Sequence, residues 1–151
     1  MEASTQADQP VTNQRSGQMP VSYALPTKGF DRWIYRSEQE VQASKYLSED
    51  ELIFEGHYPH QPIFPGVLIV DCVVQVVRAH LEFEQGHPYR LSEVRSVRFK
   101  SPLFPGDTMT MHCRLEPGPT PNEVHVVAKC LRDDTESARV KLTLTQGRRH
   151  D

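Results

Sequence analysis

The run VLIVDCVVQVVRAHLEFE, Val67 to Glu84, restricts the fold more than any other feature of the chain. It follows Pro65-Gly66 and stops before Gly86, and it is too long and too continuously apolar to be a strand. It reads as one helix of about 18 residues, despite the weak helix propensity of its valines. Val67, Val70, Val73, Val77, Leu81 and Phe83 are spread around its circumference, and a helix that is apolar on every side is expected to be buried on every side. A chain of 151 residues has room for one domain with a real core, and that core must be organised around this helix.

The segments that could cover it have strand periodicity. In DTMTMHCRLE, Met109, Met111, Cys113 and Leu115 alternate with polar residues, so one face of a period-two strand is buried. ARVKLTLT places Ala138, Val140, Leu142 and Leu144 on one face in the same way. EVHVVAKCL, Glu123 to Leu131, lies between turn-like EPGPTPN and RDDTES, so the last three runs predict an antiparallel meander. WIYRS and EVQASKYL are expected to begin the sheet. LSEVRSVRF, with its less regular alternation, is expected to enter it with a bend.

Composition sets the surroundings. Residues 1 to 28 are rich in Gln, Ser, Thr and Pro and cannot bury enough apolar surface to offset ordering entropy, so they read as a flexible tail. Residues 147 to 151 read as a frayed end, which leaves a domain over 29 to 146. The net charge of -3 provides no global cationic field for nucleic acid. Cys72, Cys113 and Cys130 are an odd number without CxxC spacing, and suit buried free thiols in a reducing compartment. With no signal pattern and no uninterrupted apolar run of spanning length, the chain is expected to be soluble and cytoplasmic, with no membrane contact.

The polar residues of the helix are its informative ones. Asp71, Gln75, Arg78 and Glu82 share one stripe, and Asp71 and Gln75 stand about 6 Å apart along the axis. A carboxylate in an apolar helix is unfavourable unless it is hydrogen-bonded, and the Gln75 amide can supply an N–H. Ahead of the helix, His57 lies in a loop stiffened by Pro59, Pro62 and Pro65. Gly66 leaves room for a ligand to approach the unpaired N–H groups of the helix start, which suit an oxygen gaining negative charge. His57 and His60 are three apart, but Pro59 breaks helical spacing and no third ligand is near, so no metal site is expected. Cys72 has no dedicated base and reads as core.

GHYPHQPIFPGVLIVDCVVQ resembles the active-site segment of the 3-hydroxyacyl-[acyl carrier protein] dehydratases, with histidine, prolines, Gly66, an acid and Gln75 in register. VRFKSPLFPGD, Val97 to Asp107, resembles that family's later strand and P-G-D corner. The resemblance covers about residues 29 to 146 and implies an α+β hotdog fold, an antiparallel sheet wrapped around one long helix. It implies that His57 and Asp71 are catalytic, that the Gly66 N–H binds the thioester carbonyl, that Gln75 orients the acid, and that Tyr58 adds a hydroxyl beside the substrate. Asp71 stands where the branch with this loop usually has Glu, and Tyr58 where it usually has Phe.

The implied reaction is dehydration of a 3-hydroxyacyl thioester carried on the phosphopantetheine of acyl carrier protein, giving the trans-2-enoyl thioester with no metal or redox cofactor. This belongs to fatty-acid or polyketide-type synthesis. The implied assembly is a dimer at least, with a homo- or hetero-oligomer both open and the helix acid contributed to the other subunit's site. Arg95, Arg98 and Lys100 form either a solvated strand edge or a docking patch for the acidic carrier. Two other readings remain: a hotdog acyl thioesterase using Asp71 to activate water, and a non-catalytic subunit of a hetero-oligomeric dehydratase.

Overall fold

The computed structural model describes residues 28–51, 54 and 63–147. Six strands and one long helix follow in the order β1 (Arg32–Ser37), β2 (Glu40–Tyr46), α1 (Gly66–Gln85), β3 (Tyr89–Phe99), β4 (Thr108–Pro117), β5 (Glu123–Arg132) and β6 (Thr135–Gln146). They form one antiparallel sheet in the order β1-β2-β4-β5-β6-β3. This is the expected hotdog arrangement, with the crossover from β2 to β3 carrying the helix.

Period two decides which face of the sheet meets α1. Met109, Met111, Cys113 and Leu115 of β4 are buried, as are Ala138, Val140, Leu142 and Leu144 of β6. Cross-strand register joins them into continuous rows: Ala43 faces Met111, Met111 faces Cys130, and Cys130 faces Ala138. The β5–β6 connection turns at Asp133, which adopts a left-handed φ of 55°. β3 pairs with β6 through two register shifts, between Leu91 and Glu93 and between Val94 and Ser96, so the irregular alternation of LSEVRSVRF is a pair of bulges.

The helix extends one residue beyond its expected bounds at each end. Gly86, at φ 75°, closes it by donating its N–H to the Glu82 carbonyl at 2.9 Å, a left-handed cap that glycine adopts without strain. Ile69, Cys72, Val73, Val76, Val77 and Leu81 are buried against the sheet. The expectation of burial on every side is not met. Val67 is 73% exposed, Phe83 is also exposed, and Val70, Asp71, Val74 and Arg78 are half-buried. The reason is geometric: one sheet covers one side of a helix, and the rest needs a second layer. All three thiols are free and buried. Among the described residues, no helix is long and apolar enough to cross a membrane.

Candidate active site

Asp71 lies in the second turn of α1, on the boundary between its covered and open sides. Gln75, one turn further on and 2% exposed, donates Nε2–H to Asp71 Oδ2 at 2.8 Å. The retaining bond expected from the i, i+4 spacing is therefore present. The opposite end of the same amide is also fixed, because the buried N–H of Gly29 donates to Gln75 Oε1 at 2.9 Å. An N–H can only donate, so the atom facing it is the oxygen, and the nitrogen is left to face Asp71.

Gly66 is the first residue of α1, after Pro65 in an extended conformation with no side-chain cap. The N–H groups of Leu68 and Ile69 both reach back to the Pro65 carbonyl, at 3.0 and 3.3 Å. Those of Gly66 and Val67 precede the first helical bonds and point out of the helix start. The Phe99 ring lies directly on Gly66: a Cβ there would stand 2.6 Å from Phe99 Cζ, which is why no larger residue fits without displacing the ring. Around them is an open cleft of about 470 Å³, lined by Phe64, Gly66, Val67, Phe99, Lys100 and Leu103 among others.

Of the cations on and after β3, Arg95 and Arg98 are exposed strand residues. Lys100 is also exposed but pairs with Glu136 Oε1 at 3.3 Å, and it alone of the three lines the cleft with Gly66. His57 and Tyr58 lie outside the described residues. A larger depression of about 540 Å³ on the outer face of the sheet is lined by Arg36, Gln42, His112, Arg114 and Lys129 with others, but holds none of the residues just named.

Cys72, adjacent to Asp71, is a fully buried free thiol, in keeping with a core residue, and burial pushes it far above the ordinary range. One feature near it was not anticipated. Lys45 points inward from β2 with its side chain 3% exposed and its Nζ 3.1 Å from Glu51 Oε2. The sequence signal was available, since Lys45 shares a period-two face with Val41 and Ala43, both buried. Gly29 was missed for a different reason, as its contact with Gln75 spans 46 positions of sequence.

The model of the ApeI-like family, described as ApeI dehydratase, matches residues 33–141. The chain belongs to the ApeI-like dehydratase family. Its similarity extends to curated enzymes named 3-hydroxyacyl-[acyl-carrier-protein] dehydratase FabZ. With that of Teredinibacter turnerae it is 35% identical over 100 residues, 62% of this chain and 68% of the relative. With that of Nitratidesulfovibrio vulgaris it is 35% identical over 80 residues, 50% of this chain and 52% of the relative. The chain thus spans about half the length of several curated relatives that it matches.

Solved structures agree on the fold. The dehydratase heterocomplex ApeI:P from Xenorhabdus doucetiae superposes with a TM-score of 0.57 at 22% identity, over 75% of this chain and 93% of that one. The smu.793 protein of Streptococcus mutans, bound to acetyl CoA, superposes with a TM-score of 0.67 at 14% identity, over 87% and 97%. An acyl-CoA hydrolase of Staphylococcus aureus shares the fold at a TM-score of 0.59 and 17% identity, over 75% and 66%. For this ApeI-like chain, a hotdog likeness to hydrolases at such identities concerns architecture alone.

Proposed function

We propose that this protein dehydrates a 3-hydroxyacyl thioester, presented by acyl carrier protein, to the trans-2-enoyl thioester. The observation that carries the reading is the Asp71–Gln75 pair, a half-buried acid at the boundary between the covered and open sides of α1, retained in an apolar helix by the buried Gln75 amide. Family membership and the FabZ relatives support the same chemistry.

The residues divide the work as follows. A neutral His57 takes the C2 proton while the N–H of Gly66 receives the negative charge that develops on the thioester oxygen. The C2 electron pair forms the new double bond as the C3–O bond breaks. Protonated Asp71 gives its proton to the departing hydroxyl, which leaves as water. The proton held on the imidazole then returns to the carboxylate. Imidazole, backbone N–H and carboxyl account for every charge, so the proposed reaction draws on no metal or redox cofactor, and the phosphopantetheine belongs to the substrate. Tyr58, beside His57 in sequence, is assigned to the substrate wall.

Two or more subunits complete the site, with Asp71 serving the histidine loop of a second subunit. Three features support this: the 73% exposure of Val67 on α1, the outer edge of β3, unpaired among the described residues, and the exposed Leu91, Val94 and Phe99 on that strand. The second subunit is a copy or a different hotdog chain, and the Xenorhabdus doucetiae heterocomplex is a precedent for the latter. Arg95 and Arg98 are the exposed part of the proposed carrier-docking patch, with Lys100 at the cleft. Fatty-acid or polyketide-type synthesis and a cytoplasmic setting accompany this reading.

Incubation with 3-hydroxyacyl carrier protein, followed by intact-mass measurement, tests it. Loss of one water from the carrier supports dehydration. Release of free acid establishes a thioesterase instead, and no change in the presence of the natural oligomer establishes a non-catalytic subunit.

A further inference from the structure

We propose that Gly29 is a positioning residue for the reaction, whose backbone N–H fixes the orientation of the Gln75 amide and thereby determines which oxygen of Asp71 can carry the transferable proton. This rests on the dehydratase reading and adds to it a residue outside the motif.

The contacts form a chain from sheet to acid. Gly29 is held in place through Asp31, two residues on, whose N–H donates to the Ser44 carbonyl at 2.8 Å and whose Oδ2 accepts the Tyr46 N–H at 2.6 Å. Phe30 between them is buried. Thus the end of β2 sets where the Gly29 N–H points, and that N–H takes Gln75 Oε1 at 2.9 Å. Gln75 Nε2 must then face Asp71 Oδ2, where it donates at 2.8 Å.

The orientation matters for the proton. With a donor on Oδ2, a protonated Asp71 carries its hydrogen on Oδ1 and can offer it to a leaving hydroxyl. With the amide reversed, Gln75 would present an acceptor, and the carboxylic proton would be drawn into the Asp71–Gln75 pair and away from the substrate. A backbone donor that cannot rotate excludes the reversed state.

Space enforces the arrangement as well. A Cβ at Gly29 would overlap Gln75 Oε1 and stand 2.5 Å from its Cδ and 2.8 Å from its Cβ. Gln75 is buried and has no open solvent to move into. Gly29 is not among the glycines with positive φ, so alanine there strains no backbone and acts through Gln75.

The test is Gly29→Ala in the full chain, with steady-state kinetics on a 3-hydroxyacyl carrier protein and NMR of the Gln75 side-chain amide. The expected result is a kcat lowered about 10-fold or more at a KM within about twofold, because the ground-state complex is unaffected while proton delivery is lost. The Gln75 Nε2–H resonances should move with it. Wild-type kcat, or lowered kcat with those resonances unmoved, overturns the proposal. Should Gly29→Ala fail to fold, Gln75→Met decides: the Gly29 amide hydrogen, which its buried bond should protect in the wild type, should exchange faster in this variant, and unchanged protection overturns the proposal. A wild-type protein that does not dehydrate the substrate defeats the functional reading, whereas the amide resonances still decide whether Gly29 holds Gln75.

Discussion

The backbone N–H of Phe64 donates to the carbonyl of Leu103 at 2.8 Å, tying the segment that enters α1 to the P-G-D corner after β3. The corner is itself tied to Leu47, the residue after β2, through Gly106 N–H to the Leu47 carbonyl at 2.6 Å and Leu47 N–H to the Asp107 carbonyl at 2.8 Å. Gly106 sits at φ 95°, and Asp107 Oδ2 accepts the Phe104 N–H at 2.7 Å. The described end of the first motif, from Ile63 on, and the second motif are therefore one structural unit. Asp107→Ala should lower stability by about 0.5–1.5 kcal/mol, the net scale of one solvent-accessible hydrogen bond, measured by urea unfolding. Its Phe64 amide should exchange faster, and an unchanged rate would separate the corner from the helix entry.

Asp71→Asn keeps the shape and can still accept the Gln75 N–H through its own amide oxygen, but it has no acidic proton. The variant should fold, bind acyl thioester and lose about 10²-fold or more in turnover. Wild-type turnover would reduce Asp71 to a structural acid. Asp71→Glu restores the residue usual with this loop; retained dehydration would place the geometry with that branch, and lost activity would show a site built around Asp.

Much of this fold was legible because burial imposes simple periods. Met109 to Leu115 alternate and the sheet buries that face; Gly86 follows the last apolar turn and caps the helix. The Asp71–Gln75 bond was legible because four residues make one helical turn. Contacts with no local period were not. Gly29 meets Gln75 only because the chain before β1 lies across α1, and nothing in the spacing of Lys45 and Glu51 reveals a buried pair across a turn. The open side of α1 escaped for another reason: apolarity predicts that a surface will be covered, but not whether its own chain or another subunit covers it.

Lys45 and Glu51 give a stability prediction. Removing Glu51 leaves an ammonium group buried without its counter-charge, so Glu51→Ala should cost about 3 kcal/mol, at the lower end for buried pairs because Glu51 retains some exposure. Lys45→Met in the same chain should recover most of that loss, since it removes the stranded charge at similar volume. Chemical unfolding of the single and double variants is the measurement. A double variant no more stable than Glu51→Ala would show that the ion pair is not the cause.

Charge reversal separates docking from solvation on β3. Arg95→Glu with Arg98→Glu should raise KM for carrier-bound substrate by about 10-fold or more while leaving KM for a short pantetheine thioester nearly unchanged. Lys100 is left intact because its reversal would also break the pair with Glu136. Equal effects on both substrates would make the strand a solvated edge.

His80 predicts how stability responds to acid. It is buried on α1 with Nε2 3.0 Å from the Glu38 carbonyl, its ring stacked on Tyr35 and tilted against Trp33. Burial lowers its pKa from the ordinary 6.5, and this outweighs the Glu38 carbonyl and the Glu84 carboxylate, which favour the charged ring. The folded protein then binds fewer protons than the unfolded chain once pH falls below about 6.5, so stability declines through that window and the loss stops growing below the folded pKa. His112 is shifted the same way by partial burial and by Arg36 and Lys129, but its exposure makes its share smaller. Glu136, held low by Arg139 and Lys100, contributes only in the more acidic carboxylate range. His80→Gln keeps a donor for the Glu38 carbonyl and removes the titration. Urea midpoints measured from about pH 7.5 down to about pH 5 should fall for the wild type and fall less for this variant. Parallel curves would assign the acid sensitivity to another group.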